Sequence, residues 1–359
     1  MVRVVVASDK FKGSLTSAQV AAAVATGVRR VHPDASVVAV PVADGGDGTL
    51  AAAVAAGYAL VPMVASGPTG DAVHSGYARR GDTAVVELAD VCGLVRLPDG
   101  LAPMTASSFG CGEMIAAAVD AGCTRVILGI GGSASTDGGI GLVQALTGSE
   151  ALDTAVLRAR LDGVQLVVAC DVDNPLTGPR GAAAVYGPQK GASPSQVAAL
   201  DARLTEWAAR VAAATGRDLR DTPGAGAAGG VGFAALALLS AELRPGIDLM
   251  LELVGFREQL AGADLVITGE GALDEQTLHG KAVAGVAAAS VVPVVAVCGV
   301  NKLRADQLAA AGVRAAYALT DLEPDVARCI AQPVPLVEKL AERIAIEHLT
   351  MAETGEVGA

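Results

Sequence analysis

The chain has 359 residues, long enough for two domains of ordinary size. Lys and Arg number 26 against 38 Asp and Glu, so the formal charge is −12, which argues against a nucleic acid or an anionic membrane surface as partner. Apolar residues make up 52% but aromatics only 3%, so a core here must pack through small aliphatic side chains, and any anionic substrate must be drawn in by local cations.

The pattern opens with an apolar, β-branched run at Val2–Ala7, suited to a central parallel strand. Thr16–Gln19 reads as a capping box, followed by Val20, Val24, Val28 and Val31 at helical spacing and closed by Pro33. A second strand is expected at 37–42 and a short helix at 49–57 that ends on glycine. Residues 64–90 carry short strand-like pieces divided by Gly-Pro and Arg-Gly-Asp turn signals, which predicts an antiparallel hairpin or meander. A helix at 111–122 precedes a strand at 125–130, and a strand at 164–169 precedes a helix near 194–214. Strands at 264–268, 292–297 and 315–319 complete the pattern, with a helix at 282–289 between the first two.

Residues 282–300 are uncharged over the length of a membrane span, but Pro293 and the change from alanine to valine make them a buried helix, a turn and a buried strand. The six cysteines form no C-x-x-C pair and read as reduced, structural thiols of a cytoplasmic protein. Val4–Ala7 is too short for the apolar stretch of a secretory leader. The tail 353–359 is expected to be disordered.

Alternating strands and helices predict an α/β fold with a parallel sheet, whose ligands bind beyond the carboxyl ends of the strands. Residues 64–259 depart from simple alternation and are read as a second α/β domain inserted into the first, which comprises 1–63 and 260–359; segment 106–145 fits either.

Four glycine-rich stretches carry the candidate chemistry. Glycines at a strand end let backbone N–H groups approach an anion, and a helix starting there adds its positive end. In ASDKFKGSL (7–15), Lys10 and Lys12 either reach a phosphate or a substrate carboxylate or are simply solvated, with Ser14 in the same loop. In PVADGGDGT (41–49), Asp47 can serve as a helix cap, whereas Asp44 has no such structural use. GIGGSASTDGG (129–139) holds Gly131, Gly132, Ser133 and Asp137. Its G-x-G-x-x-A match to the dinucleotide fingerprint is weak, because the following helix is delayed, and a phosphate-cradling loop fits better. ITGEGALDEQTLHGK (267–281) supplies Glu270 between two glycines, Lys281, and His279 beside it. A further stretch, 169–192, places Asp171 and Asp173 on one side of an extended segment, a spacing that suits a hard cation, and carries Lys190 in a Gly-Pro-rich turn where a plain surface lysine is the competing reading. No G-x-x-x-x-G-K-[ST] occurs, which excludes a Walker-type loop.

DKFKGSLT, VADGGDGT, SSFGCGEM, GIGGSASTDGG, ACDVDNPLTGPRGA, GPQKGA, PGAGAAGG, ELRPGI and ITGEGALDEQTLHGK occur in an order that resembles the bacterial class I glycerate kinases over nearly the whole chain. The resemblance implies transfer of the ATP γ-phosphoryl group to D-glycerate with magnesium, favouring 2-phosphoglycerate as product. It also implies a Rossmann-like parallel-sheet domain joined to a second α/β domain, with the active site in the cleft between them. On this reading Asp137, Asp44 and Lys12 are the catalytic candidates, with Asp137 nearest the reacting hydroxyl. Lys10, Ser14, Gly131, Gly132, Ser133, Lys190, Glu270 and Lys281 bind substrate or phosphate, and Asp171 and Asp173 hold the metal. The partners are small molecules, neither nucleic acid nor membrane, and a homodimer is left open. The chain departs from the family pattern at Ala272, where an arginine is expected, and in a shortened segment between Leu146 and Val164. These departures motivate a competing reading as a non-catalytic binder of anionic metabolites; the weak fingerprint motivates a nicotinamide-dependent oxidoreductase.

Overall fold

The computed structural model describes residues 1–43, 45–278 and 282–349. They fall into two compact units, Met1–Ala43 with Met250–Ala359, and Asp44–Leu249. The strands, in chain order, are β1 (Arg3–Ser8), β2 (Ser36–Ala39), β3 (Ala59–Ser66), β4 (Ala72–Arg80), β5 (Thr83–Glu87), β6 (Arg125–Gly129), β7 (Gln165–Ala169), β8 (Glu242–Arg244), β9 (Leu265–Leu273), β10 (Val294–Asn301) and β11 (Ala315–Ala318).

The first unit is built on a five-stranded parallel sheet in the order β11-β10-β9-β1-β2. Five of the six residues of β1 are buried, as expected of a strand covered on both faces. The helix Ser17–Val31 starts on Thr16, whose hydroxyl and the Gln19 side chain form the expected capping box. Val20, Val24 and Val28 bury one face of it together with Val337, Leu340 and Ile344 of the helix Pro333–Leu349, each side chain contributing about 1.5–3 kcal/mol. Gly27 is obligatory in that packing. A Cβ there would lie 2.2 Å from the Glu338 carbonyl oxygen, so the close helix approach outweighs the roughly 1 kcal/mol that glycine costs within a helix.

The second unit carries a six-stranded sheet in the order β3-β4-β5-β6-β7-β8. β3, β4 and β5 form the antiparallel meander; β5 through β8 run parallel. The helix Phe109–Asp120 makes the crossover from β5 to β6, burying Met114 and Ile115 beside Leu128 and Leu142. The long helix Pro194–Thr215 begins on a Ser193–Gln196 capping box and lays Leu200, Leu204, Trp207 and Val211 into the same core.

The expected domain boundary at residues 63 and 64 falls inside β3. That strand pairs along its whole length with β4, and a continuous ladder of backbone hydrogen bonds keeps it in the second unit. The segment 106–145 also belongs there, because β6 lies between β5 and β7. At the other boundary, 250–259 joins the first unit, where Arg3 donates to the Gln259 carbonyl oxygen at 3.2 Å. The uncharged stretch at 282–300 resolves into the helix Ala282–Ala289 and β10. Among the described residues no helix is long and apolar enough to cross a membrane. His279 and the tail 353–359 lie outside the described residues.

Candidate active site

The parallel strands β6 and β7 end at Gly129 and Ala169, and a pocket of about 240 Å³ opens at those ends within the second unit. The loop after β6 is fixed from two sides. Gly131 donates to the Gly45 carbonyl oxygen at 3.2 Å, and Ala134 donates to that of Cys92 at 3.0 Å. A Cβ on Gly131 would lie 2.6 Å from the Cα of Gly46. This glycine therefore serves the apposition of two glycine-rich loops, 41–49 and 129–139, which together form one wall of the pocket.

Lys190 lines the same pocket. It ends a short 3₁₀ turn, Pro188–Lys190, and is only 3% exposed, which removes the surface-lysine reading. Its Nζ donates to Ser133 Oγ at 2.9 Å and to the Ser135 carbonyl oxygen at 2.5 Å. Among the described residues it makes no ion pair. Burial pushes its pKa down to about 8, against a smaller opposing pull from Asp137. A buried ammonium held by neutral oxygens is a cation poised for an anionic ligand.

The carboxylates divide by role. Asp171 lines the pocket, and its Oδ1 accepts from the Gly246 amide at 2.8 Å, at the start of the helix Gly246–Leu253. Asp173 does not line the pocket; it is exposed and paired with Arg180 at 3.1 Å. The expected alternation that would place both on one cation is broken because the segment after β7 is not a strand. Asp137 follows β6 as expected, yet its carboxylate is already engaged. Oδ2 accepts from the Ser108 amide at 2.9 Å, the Ser108 hydroxyl at 2.8 Å and the Gly141 amide at 3.2 Å, and Oδ1 accepts from Gly139 at 3.1 Å. These bonds tie the starts of the helices Phe109–Asp120 and Ile140–Thr147 to one side chain.

Glu87, which the sequence reading missed, ends β5 and is buried. Its two oxygens accept from the Gly48 amide at 3.2 Å and the Leu50 amide at 2.8 Å, so it caps the helix Thr49–Ala55 in the place expected of Asp47. Desolvation raises its pKa, opposed by those two amides. The only sequence signal was a lone glutamate ending an otherwise apolar strand.

The remaining candidates lie in the first unit. The Lys10 amide donates to Asp9 Oδ1 at 2.7 Å, and Ser14 Oγ donates to the Phe11 carbonyl oxygen at 3.2 Å. Lys12 is exposed, its amide nitrogen 3.4 Å from where a Cβ on Gly271 would sit, so this loop lies beside β9. Glu270 is inside β9, opposite Cys298 of β10, and accepts from Thr277 Oγ1 at 2.5 Å. Ala272, two residues on, is exposed. Asp44 and Lys281 lie outside the described residues.

A sequence profile of the glycerate kinase family matches residues 4–348. The chain is 45% identical over 323 residues to the glycerate kinase of Bacillus subtilis (strain 168), covering 83% of this chain and 85% of the relative. It is 42% identical over 308 residues to the glycerate 2-kinase of Escherichia coli (strain K12), covering 79% and 81%. A crystal structure from Salmonella typhimurium LT2, provisionally described as glycerate kinase 2, superposes with a TM-score of 0.80 at 38% identity, covering 96% of this chain and 98% of that one. Neither the oxidoreductase reading nor the non-catalytic one finds support among these relatives.

Proposed function

The chain belongs to the glycerate kinase family, and on that premise we propose that it transfers the γ-phosphoryl group of ATP to a hydroxyl of D-glycerate, releasing ADP, a phosphoglycerate and a proton. The observation that carries this reading is Lys190, a buried cation facing a pocket at the carboxyl ends of two parallel strands, with an acidic side chain on the same lining. Phosphoryl transfer needs clamped anions, a metal and an oriented hydroxyl more than covalent help.

Magnesium fits the donor set in one way. Among the described residues no group of three His, Cys, Asp or Glu side chains could hold a metal ion. Magnesium, however, commonly takes one or two carboxylates and completes its shell with water and substrate phosphates. Asp171 supplies such a carboxylate in the pocket; Asp173, paired with Arg180, does not. When bound, the ion neutralises charge on the transferring phosphoryl oxygens. Asp137 orients: its four accepted hydrogen bonds hold the loop that carries Ser133 and Ser135, and through them Lys190.

The first of the two glycerate hydroxyls to consider is that on C2, giving 2-phosphoglycerate. Six unpaired thiols suit a reducing cytoplasm, and a homodimer is part of the proposal, checked by light scattering. The deciding experiment measures ADP release with D-glycerate and Mg²⁺, followed by enolase coupling without added mutase. Direct dehydration of the product identifies 2-phosphoglycerate. Absence of glycerate-dependent ADP release would overturn the kinase reading.

A further inference from the structure

A kinase of this type must hold two substrates of very different size and charge, a nucleoside triphosphate and a three-carbon hydroxy acid. We propose that the pocket at the ends of β6 and β7 takes the hydroxy acid, and that Lys190 and Ser133 grip its carboxylate as specificity-determining residues. The assignment rests on the glycerate kinase reading and names the substrate for one part of that site.

Size comes first. The pocket holds about 240 Å³, the room of roughly eight waters at about 30 Å³ each. That is below the roughly 300–1,000 Å³ of pockets that enclose drug-sized ligands. A three-carbon acid fits inside it whole, whereas most of a nucleotide would have to extend beyond it.

Charge points the same way. Among the described residues the lining carries one ammonium, that of Lys190, and one carboxylate, that of Asp171. A triphosphate brings several negative charges, which the single ammonium on the lining does not balance. A monocarboxylate brings one, which Lys190 matches. Asp171 can accept a hydrogen bond from a hydroxyl of the same small molecule. Leu94, Ile130, Ala169 and Val172 on the lining offer apolar surface to a carbon chain.

The polar end has the donors a carboxylate requires. Two of the three N–H groups of Lys190 are taken by Ser133 Oγ and the Ser135 carbonyl oxygen, leaving one. Ser133 Oγ accepts from the ammonium, so its own proton remains to be donated, and among the described residues it has no other partner. One N–H from Lys190 and one O–H from Ser133, both on the lining and less than 3 Å apart at their heavy atoms, present a two-point fork to the two oxygens of a carboxylate.

The test compares steady-state kinetics of the wild type, Lys190→Met and Ser133→Ala with D-glycerate, with its uncharged amide, and with varied ATP. Lys190→Met is expected to raise KM for D-glycerate about 10- to 100-fold and to narrow the preference for the acid over the amide, while KM for ATP moves less than about threefold. Ser133→Ala, which leaves the ammonium in place, is expected to shift KM for D-glycerate the same way by about 3- to 10-fold and decides the matter if Lys190→Met does not fold. If KM for ATP rises instead and the preference for the acid persists, the pocket is a nucleotide-phosphate site and the assignment falls. If the wild type does not turn over D-glycerate at all, the kinase reading falls with it.

Discussion

Lys190 is buried as a cation without an ionic partner among the described residues, and that arrangement has a measurable effect on stability. Its pKa falls from the ordinary 10.5 to about 8 on folding, chiefly through desolvation. The unfolded chain thus binds a proton that the folded protein gives up between those values. Stability from this group rises with pH across that window; it is fully depressed below about 8 and restored above 10.5. At ~1.4 kcal/mol per pH unit, the penalty near neutrality is roughly 3 kcal/mol. Lys190→Met removes it but strands the Ser135 carbonyl oxygen, which costs about 1–3 kcal/mol, so the variant is expected to be close to the wild type at about pH 7. Moving to about pH 9.5 should raise wild-type stability relative to the variant by about 2 kcal/mol, because most of the ammonium is by then neutral. Trp207 is the only tryptophan in the chain and is buried in the second unit, where its Nε1 donates to the Gly138 carbonyl oxygen at 3.0 Å, so urea unfolding followed by its fluorescence reports the unit that contains Lys190. Groups other than Lys190 titrate alike in both proteins and cancel in the difference. Parallel pH profiles, agreeing within a few tenths of a kcal/mol, would refute the argument that the folded protein holds this lysine as a desolvated cation.

Catalysis should show the same group: kcat/KM for D-glycerate is expected to decline as pH rises through about 8 in the wild type, and a flat profile to about pH 9.5 counts against a binding role for the ammonium. Asp137→Asn is expected to lower the Trp207 unfolding midpoint by an amount worth about 1.5–3 kcal/mol, since an amide cannot accept all four bonds; unchanged stability with kcat down 10²–10⁴-fold would instead make Asp137 the base. Glu87→Ala leaves the Gly48 and Leu50 amides without their carboxylate and should cost about 1–3 kcal/mol while weakening turnover through the Gly45–Gly46 wall; an unaltered enzyme would exclude that positioning role. Ala272→Arg, at an exposed position of β9 in the first unit and not on the lining of the Lys190 pocket, should leave folding intact and KM for D-glycerate within about threefold of the wild type, and a KM lowered by more than that would count against seating the acid beside Lys190.

Local chemistry wrote most of the secondary structure into the chain. The Thr16–Gln19 and Ser193–Gln196 boxes, the valine spacing of the helix Ser17–Val31 and the β-branched runs of β1, β9 and β10 each act within a few residues, so they can be read in order. The parallel α/β character and the family membership were legible for the same reason, since motif order is a one-dimensional property. What the sequence by itself could not decide was which polar group meets which. Asp47 looked like the cap of the helix Thr49–Ala55, but Glu87, nearly forty residues further on, takes that place because β5 delivers its carboxylate to the helix start. Gly129 and Gly131 looked like room for a phosphate, yet their missing side chains admit Gly45 and Gly46. Asp171 and Asp173 looked equivalent until the chain after β7 left the extended path, sending one to the pocket and the other to Arg180. Lys190 could have been any loop lysine. Only the fold, by enclosing it against Ser133 and Ser135, removes the water that would have made it one. Burial is a property of the packed whole, and with burial come the pKa and the affinity for an anion.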